Sequence, residues 1–240
     1  MPRVVIHALA LLLVWLSTAV VAAAAPSRHV TEQRPEPPPA IKVLPRDDSA
    51  SDPSFLAFKR RLLSAAKRGD IAVLRASMAP TLNAGFEPAT PEQVIASRQL
   101  REGEPWTDLV AALELGVARE PERHGLFIAP YLSATSAELL PFDDLAVIGR
   151  DVRLRASPAA DAHSVASMSY DVVRRLSDYP YRDPNEAWSV LNPRHWVQVL
   201  TSAGTTGYVF GRFVRAGADM RYYFEKVNGR WLMTMLAGGD

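Results

Sequence analysis

Apolar residues first recur at three- and four-residue steps from Phe55 onward. Phe55, Phe58, Leu62 and Ala66 form one stripe, and basic residues occupy the opposite side. This spacing predicts an amphipathic helix that ends at Gly69, a residue suited to the left-handed conformation at a helix end. The pattern then restarts, which predicts a second helix with Asp70 as its N-cap and an end before Pro80.

Two more helices follow an extended piece, "TLNAGF". Thr90 to Gln93 reads Thr-Pro-Glu-Gln, a capping box with proline at the first helical position, and predicts a helix to about Leu100. The next helix is predicted to start at Pro105. Its apolar stripe contains Trp106, Leu109, Val110, Leu113 and Val117. The segment 55–143 is therefore predicted to be largely helical.

Strand-like runs replace this pattern from Leu126. "GLFIAPYL" predicts a buried strand that Pro130 ends. Between Leu145 and Arg215, five short strand-like runs are separated by turn residues. Such a series is typical of a small closed or nearly closed β-barrel, which we assign to residues 144–216.

The last 22 residues, 219–240, contain a strong hairpin signal. Asn228-Gly229 lies between strand-like runs, as in a type I′ turn. Pairing outward from the turn matches Val227 with Arg230, Lys226 with Trp231, Phe224 with Met233, and Tyr222 with Met235. One face then carries Tyr222, Phe224, Trp231, Met233 and Met235, and it is too apolar to face water. We expect this hairpin to pack on the helices of 55–143, with the barrel inserted between them; simple tandem order is the alternative.

The amino-terminal residues have a different composition. A short cationic head, an apolar run from Val4 to Val21 and four alanines predict a secretory signal peptide over residues 1–25. An uncleaved membrane anchor is the alternative reading. Seven of the 19 prolines lie between Pro26 and Ser54, so residues 26–54 are predicted to form a disordered, proline-rich linker.

Charge and missing motifs narrow the function. Without residues 1–25 the chain has equal numbers of basic and acidic residues, which argues against nucleic acid or anionic lipid as the main partner. There is no cysteine, no H-E-x-x-H spacing and no G-x-S-x-G elbow, and no cofactor or metal is implied. A carboxylate pair acting on glycans stays open. The loop carboxylates to consider are Asp143, Asp144, Asp183 and Glu186.

Three stretches of the barrel region resemble bacterial Src homology 3-type domains, which occur in many exported envelope proteins. They are Val152 to Pro158, Trp196 to Val199, and Gly207-Tyr208-Val209. Gly207 is expected to permit the close backbone approach that a small barrel needs. The helices and terminal hairpin show a weaker resemblance to the cystatin-like α+β fold of the nuclear transport factor type.

The resemblance implies binding to peptidoglycan or to a protein partner. It places Arg155 and Tyr208 where they can contribute, although Arg155 can equally pair with a surface carboxylate. The sequence also departs from the family at an insertion, 178–194, which carries Tyr179, Tyr181 and Trp188. These aromatic residues are candidate contacts, or they fold back to cap the barrel.

The sequence therefore predicts an α+β protein made of a Src homology 3-like β-barrel and a helical α+β domain completed by the carboxyl-terminal hairpin. The expected function is that of a non-catalytic, periplasmic or secreted binding or scaffold protein of a bacterial envelope. Its expected partners are peptidoglycan or an envelope protein, and it meets the membrane only through an uncleaved signal segment. The alternatives are a carboxylate-dependent wall glycan hydrolase and an accessory protein that holds a small apolar ligand.

Overall fold

The computed structural model describes residues 35–120, 123, 125–134, 143–176, 194–217 and 219–238. These residues form an α+β structure with two β-sheets, and the α-helices share a hydrophobic core with the six-stranded sheet. The predicted signal peptide lies outside the described residues. No helix of the described part is long and apolar enough to cross a membrane.

Four α-helices precede most of the strands. They are α1 (Pro53–Arg68), α2 (Ile71–Ala76), α3 (Pro91–Ser97) and α4 (Thr107–Leu115). The predicted end signals are confirmed: Gly69 ends α1 with φ 65°, Asp70 accepts a hydrogen bond from the Val73 amide, and both bonds of the Thr90–Gln93 capping box form. Helix α2 is shorter than predicted because the chain from Met78 already joins a sheet, with Pro80 inside the strand.

Thirteen strands are present in the described residues. In chain order they are β1 (Met78–Ala84), β2 (Glu87–Ala89), β3 (Ala118–Arg119), β4 (Leu126–Ala129), β5 (Asp144–Val147), β6 (Val152–Arg155), β7 (Ser164–Met168), β8 (Val172–Arg175), β9 (Trp196–Thr201), β10 (Thr206–Phe210), β11 (Val214–Ala216), β12 (Arg221–Val227) and β13 (Arg230–Ala237). They divide into a six-stranded sheet and a seven-stranded sheet.

The six-stranded sheet has the order β2-β1-β13-β12-β4-β3. The terminal hairpin β12-β13 therefore lies between β1 and β4, two strands that precede the seven-stranded sheet in the chain, and β13 runs parallel to β1. Phe55 of α1 is fully buried against this sheet. Its ring stacks on Phe127 at a centroid distance of 3.9 Å and meets the edge of Trp231 at 5.0 Å. An aromatic core thus joins the first helix to the last hairpin.

The hairpin turn is formed as the sequence indicates, with Asn228 and Gly229 both at positive φ. The first predicted pairs hold, from Val227 opposite Arg230 to Phe224 opposite Met233. The prediction that Tyr222 faces Met235 is wrong, because Tyr222 pairs with Leu236. A bulge adds one residue to β13 at this point, and it turns Leu236, not Met235, into the core.

The seven-stranded sheet has the order β11-β5-β8-β9-β10-β6-β7. The expected barrel is not closed: over the described residues the sheet is open, with β11 and β7 at its edges. Within the described residues, strand β7 pairs only with β6, and β11 only with β5. A series of short strands predicts a sheet but carries no information on whether its two edges meet, so the closure predicted from that series is wrong.

Each sheet has its own core of buried apolar residues, and a third cluster of buried residues connects elements of both sheets. It consists of Val43, Ala118, Tyr131, Leu132, Ala146 and Val172. Residues 35–52, part of the predicted disordered linker, have defined contacts in this region. The Val43 amide donates to the carbonyl oxygen of Tyr170 at 2.8 Å, and the Asp48 amide donates to that of Val117 at 2.9 Å. Residues 35–52 are therefore hydrogen-bonded to residues that adjoin strands of both sheets.

Candidate functional site

Arg155 and Tyr208, the two described candidates from the sequence, lie side by side. They are Cα partners on the neighbouring strands β6 and β10. Val152 and Leu154 of β6 point into the core, so Arg153 and Arg155 lie on the opposite face. Arg155 donates to the carbonyl oxygen of Ala162 at 2.6 Å instead of pairing with a carboxylate. The structure thus places both candidates on the outward face of the seven-stranded sheet.

Aromatic residues extend the same face. Trp196 of β9 and Phe210 of β10 are Cα partners, with ring centroids 5.3 Å apart and planes tilted by 57°. Their neighbours Val197 and Val209 point inward, as strand alternation requires. Phe213 lies one short 3-10 turn later and is also half-buried. The three rings leave apolar surface open to solvent.

These rings form the floor of a groove of about 530 Å³, a volume typical of ligand sites. It is lined by Arg150, Asp151, Val152, Arg153, Arg155, Ala160, Trp196, Phe210, Arg212 and Phe213. We call this set the aromatic groove. Four arginines thus surround the floor, against the one carboxylate of Asp151.

The guanidinium groups make few internal contacts. Arg212 lies 4.5 Å from the centroid of the Phe213 ring and Arg150 lies 5.6 Å from that of Tyr170. Among the described residues, no carboxylate forms an ion pair with any of the four arginines. The groove therefore combines an apolar floor with a cationic rim.

Three other candidates, Tyr179, Tyr181 and Trp188, lie outside the described residues, so the structure does not test them. The same holds for Asp183 and Glu186. Of the remaining loop carboxylates, Asp143 is exposed, whereas Asp144 lies in β5 and is buried. Arg174 binds Asp144 through two hydrogen bonds of 2.7 and 3.1 Å. This ion pair compensates the buried charge of Asp144, which therefore has a structural role and not that of an exposed loop carboxylate.

The described residues hold no cluster of three or more histidine, aspartate or glutamate side chains able to bind a metal. Of the three methionines near the terminal hairpin, Met220 and Met233 are buried in the core between the helices and the six-stranded sheet. Met235, which the alternating pattern also predicts to be buried, is half-buried and lies outside that core. His195 is exposed at the start of β9.

A second, smaller cavity of about 120 Å³ lies where α3 ends and α4 begins. Arg98, Trp106 and Asp108 line it, and burial raises the pKa of Asp108 although Arg98 and Arg215 oppose the shift. Behind it, burial raises the pKa of the Tyr222 hydroxyl, and the charge of Asp108 adds to that effect. The cavity admits only a very small ligand, so the aromatic groove is the stronger candidate site.

Sequence reasoning missed most of the aromatic groove. The site residues predicted from the sequence do not include Arg150, Arg153, Arg212, Phe210 or Phe213, and the pattern predicts Trp196 only as a strand residue. A usable signal existed: "WVQV" and "GYVF" place aromatic residues at alternate positions to the valines, on the face opposite the core. The convergence of these strands with Arg150 and Arg153 depends on sheet order, which the sequence does not state.

Comparison with known proteins gives little further guidance. No family model matches the chain, and no curated protein matches it. A solved structure, a variant of a protein named Rd1NTF2_05, aligns over 80% of this chain and 97% of its own with 13% identity and a TM-score of 0.28. A TM-score this low does not establish a shared fold. The function is therefore argued from the residues of the chain itself.

Proposed function

We propose that this chain is a non-catalytic, exported binding protein of a bacterial cell envelope, and that the aromatic groove is its contact surface. The observation that carries the proposal is the half-buried floor of Trp196, Phe210 and Phe213 beside four arginines that form no ion pair with any carboxylate of the described residues. Partly exposed aromatic rings beside guanidinium groups are the composition most enriched at binding hot spots.

The sequence supports the rest of the proposal. The signal-peptide pattern of residues 1–25 supports a periplasmic or secreted location. The resemblance of Val152 to Pro158 and Trp196 to Val209 to bacterial Src homology 3-type domains supports peptidoglycan or an envelope protein as the partner. The strand order of the first sheet, with helices packed on it, fits the resemblance to the cystatin-like α+β fold, which we propose as the relationship of that part.

A wall-binding and partner-capture experiment tests the proposal. Residues 26–240 would be cosedimented with purified peptidoglycan sacculi and, separately, used to capture proteins from an envelope extract. The test variant is Trp196→Ala with Phe210→Ala. The matched control is Phe86→Ala, because Phe86 is 89% exposed at the turn between β1 and β2 and lies outside the groove.

We expect the parent chain and the Phe86→Ala control to retain a partner that the double variant loses, by at least about tenfold in affinity. Circular dichroism spectra would verify that the double variant keeps its fold. Binding that survives in a folded double variant would show that the contact surface lies elsewhere. If the parent chain retains neither sacculi nor a protein, the binding role itself is wrong.

A further inference from the structure

We infer that the aromatic groove takes an extended acidic segment of a protein partner, with carboxylates on its rim and apolar side chains on its floor. This inference rests on the proposed function, since it assumes that the groove is the contact surface. It goes further by naming the chemistry of the ligand. Three features of the groove support it: unpaired charge, the spacing of that charge, and the size of the apolar floor.

The first feature is charge. Arg150, Arg153, Arg155 and Arg212 line one groove without a carboxylate partner in the described residues. Elsewhere in the described chain, several arginines do pair with carboxylates: Arg46 binds Asp48, Arg75 binds Glu92 and Arg123 binds Glu225. Four arginines that form no ion pair within the described residues therefore line a single groove. A guanidinium group presents a planar fork that fits a carboxylate, so complementary charge favours an acidic ligand.

The second feature is spacing. Arg153 and Arg155 are two residues apart on β6 and lie on the same face, which separates their Cα atoms by roughly 7 Å. An extended peptide repeats its own side chains at the same interval. Carboxylates at alternate positions of the ligand therefore match these two guanidinium groups in register. A helical ligand, whose neighbouring side chains recur every three or four residues, does not share this repeat.

The third feature is the floor. In an extended peptide, successive side chains project to opposite sides. When one row faces the arginines of β6, the other row faces Trp196 and Phe210 on β9 and β10. Large apolar side chains in that row would cover the rings and be removed from water. A peptide of small residues would leave most of this floor exposed, so we commit to a protein segment that alternates acidic with large apolar residues.

The test uses a synthetic peptide as the probe. A fluorescently labelled, end-blocked peptide, Gly-Glu-Phe-Glu-Phe-Glu-Gly, would be titrated with residues 26–240 and binding followed by fluorescence anisotropy. Two matched peptides replace every Glu by Gln, or every Phe by Ala. The test variant of the protein is Arg153→Gln with Arg155→Gln. Its control is Arg60→Gln with Arg101→Gln, which removes the same charge from exposed positions outside the groove.

We expect both replacement peptides, and the Arg153, Arg155 variant, to bind about tenfold more weakly than the parent pair, with the control variant unchanged. Raising the salt concentration to about 0.5 M should weaken binding of the acidic peptide and leave binding of the Gln peptide unchanged. Equal binding of the Gln peptide, or full binding by a folded Arg153, Arg155 variant, would overturn the inference.

The two proposals fail in different ways. In one outcome, the Trp196, Phe210 variant fails to bind sacculi or an envelope partner while the parent chain does not bind the acidic peptide. In that case the groove is a contact surface, and the proposal that it prefers an acidic ligand is wrong. If the peptide binds and sacculi do not, a protein partner is favoured over the wall. If the folded Trp196, Phe210 variant binds everything that the parent binds, both proposals are wrong.

Discussion

Gly207 shows how a single residue controls the proposed site. A Cβ atom at this position would lie 2.7 Å from both the carbonyl oxygen of Arg155 and the Cγ atom of Leu154. The close backbone approach expected from the sequence is therefore confirmed. Both obstructing groups belong to β6, so any larger residue must push β10 away from its partner strand.

Gly207→Ala is therefore expected to destabilise the protein by about 1–3 kcal/mol, the usual range for overpacking. It should also weaken binding at the groove, because Phe210 and Arg155 lie on the two strands that separate. Urea unfolding and the peptide titration measure the two effects. Thr206→Ala, an exposed change on the same strand, is the control and should alter stability by less than about 0.5 kcal/mol. Equal stabilities of the two variants would contradict the steric argument.

Asp108 gives a pH-dependent prediction at the same scale. Burial raises its pKa in the folded chain above the ordinary value of 3.8, and Arg98 and Arg215 only partly offset this. The folded state therefore favours the protonated form. Its stabilising effect is fully present below the unfolded pKa and is lost as the pH rises through the folded pKa.

Asp108→Asn should abolish the loss of folding stability that accompanies ionisation of Asp108, because the amide stays neutral at every pH. Relative to the parent chain, the variant should gain stability as the pH rises from about 3.8 upward. Thermal unfolding across the acid range measures the difference, with Glu87→Gln as the exposed control. If the parent chain instead becomes more stable relative to Asp108→Asn as the pH rises, the attraction of Arg98 and Arg215 for the Asp108 carboxylate outweighs the effect of burial.

At the scale of elements, the β12-β13 hairpin shows which features local sequence can predict. The turn and the first cross-strand pairs follow from Asn228-Gly229 and from alternation. The bulge does not, because the two strands pair with different neighbours, β4 and β1, and their registers must be reconciled. Thr234 marks the irregularity, and its hydroxyl donates to Glu225 at 2.8 Å.

The bulge predicts unequal losses of stability when two neighbouring residues, Met235 and Leu236, are replaced by alanine. Leu236 is 2% exposed in the core between the helices and the six-stranded sheet, so Leu236→Ala should lower the free energy of unfolding by about 2–5 kcal/mol. Met235 is only half-buried and lies outside that core, so Met235→Ala should cost markedly less. Unbroken alternation predicts the reverse order. Denaturant unfolding of the two variants therefore distinguishes the bulged register from the simple one.

Helices and sheets differ in how far the sequence determines them. A capped helix end depends on residues within one turn, so Gly69, Asp70 and Thr90 locate the end of α1 and the starts of α2 and α3. The open edge at β7 and the groove between β6, β9 and β10 depend on contacts between residues distant in sequence. Periodicity therefore identified the strands of the seven-stranded sheet. The family resemblance pointed to Arg155 of the groove and to its neighbour Tyr208, but neither signal revealed the groove itself.

At the scale of the whole molecule, residues 35–52 act as a strap between the two sheets. On one side Lys42 pairs with Asp171 at 2.7 Å, next to β8. On the other side Asp47 pairs with Lys59 of α1, whose side chain is 9% exposed. Val43 lies between these ion pairs and fills the third core cluster with Tyr131. The six- and seven-stranded sheets should therefore unfold together, because the cluster and the strap couple them.

Val43→Ala tests this coupling, with Leu44→Ala as the adjacent control. Val43 is 4% exposed and Leu44 is 62% exposed, so only the first change removes buried surface, at a cost of about 1.5 kcal/mol. Hydrogen exchange should then increase in strands of both sheets, β4 as well as β8, while the control leaves both protected. Faster exchange confined to β8 would show that the strap belongs to the seven-stranded sheet alone. The groove would then be carried by a part of the chain that unfolds independently of the helices.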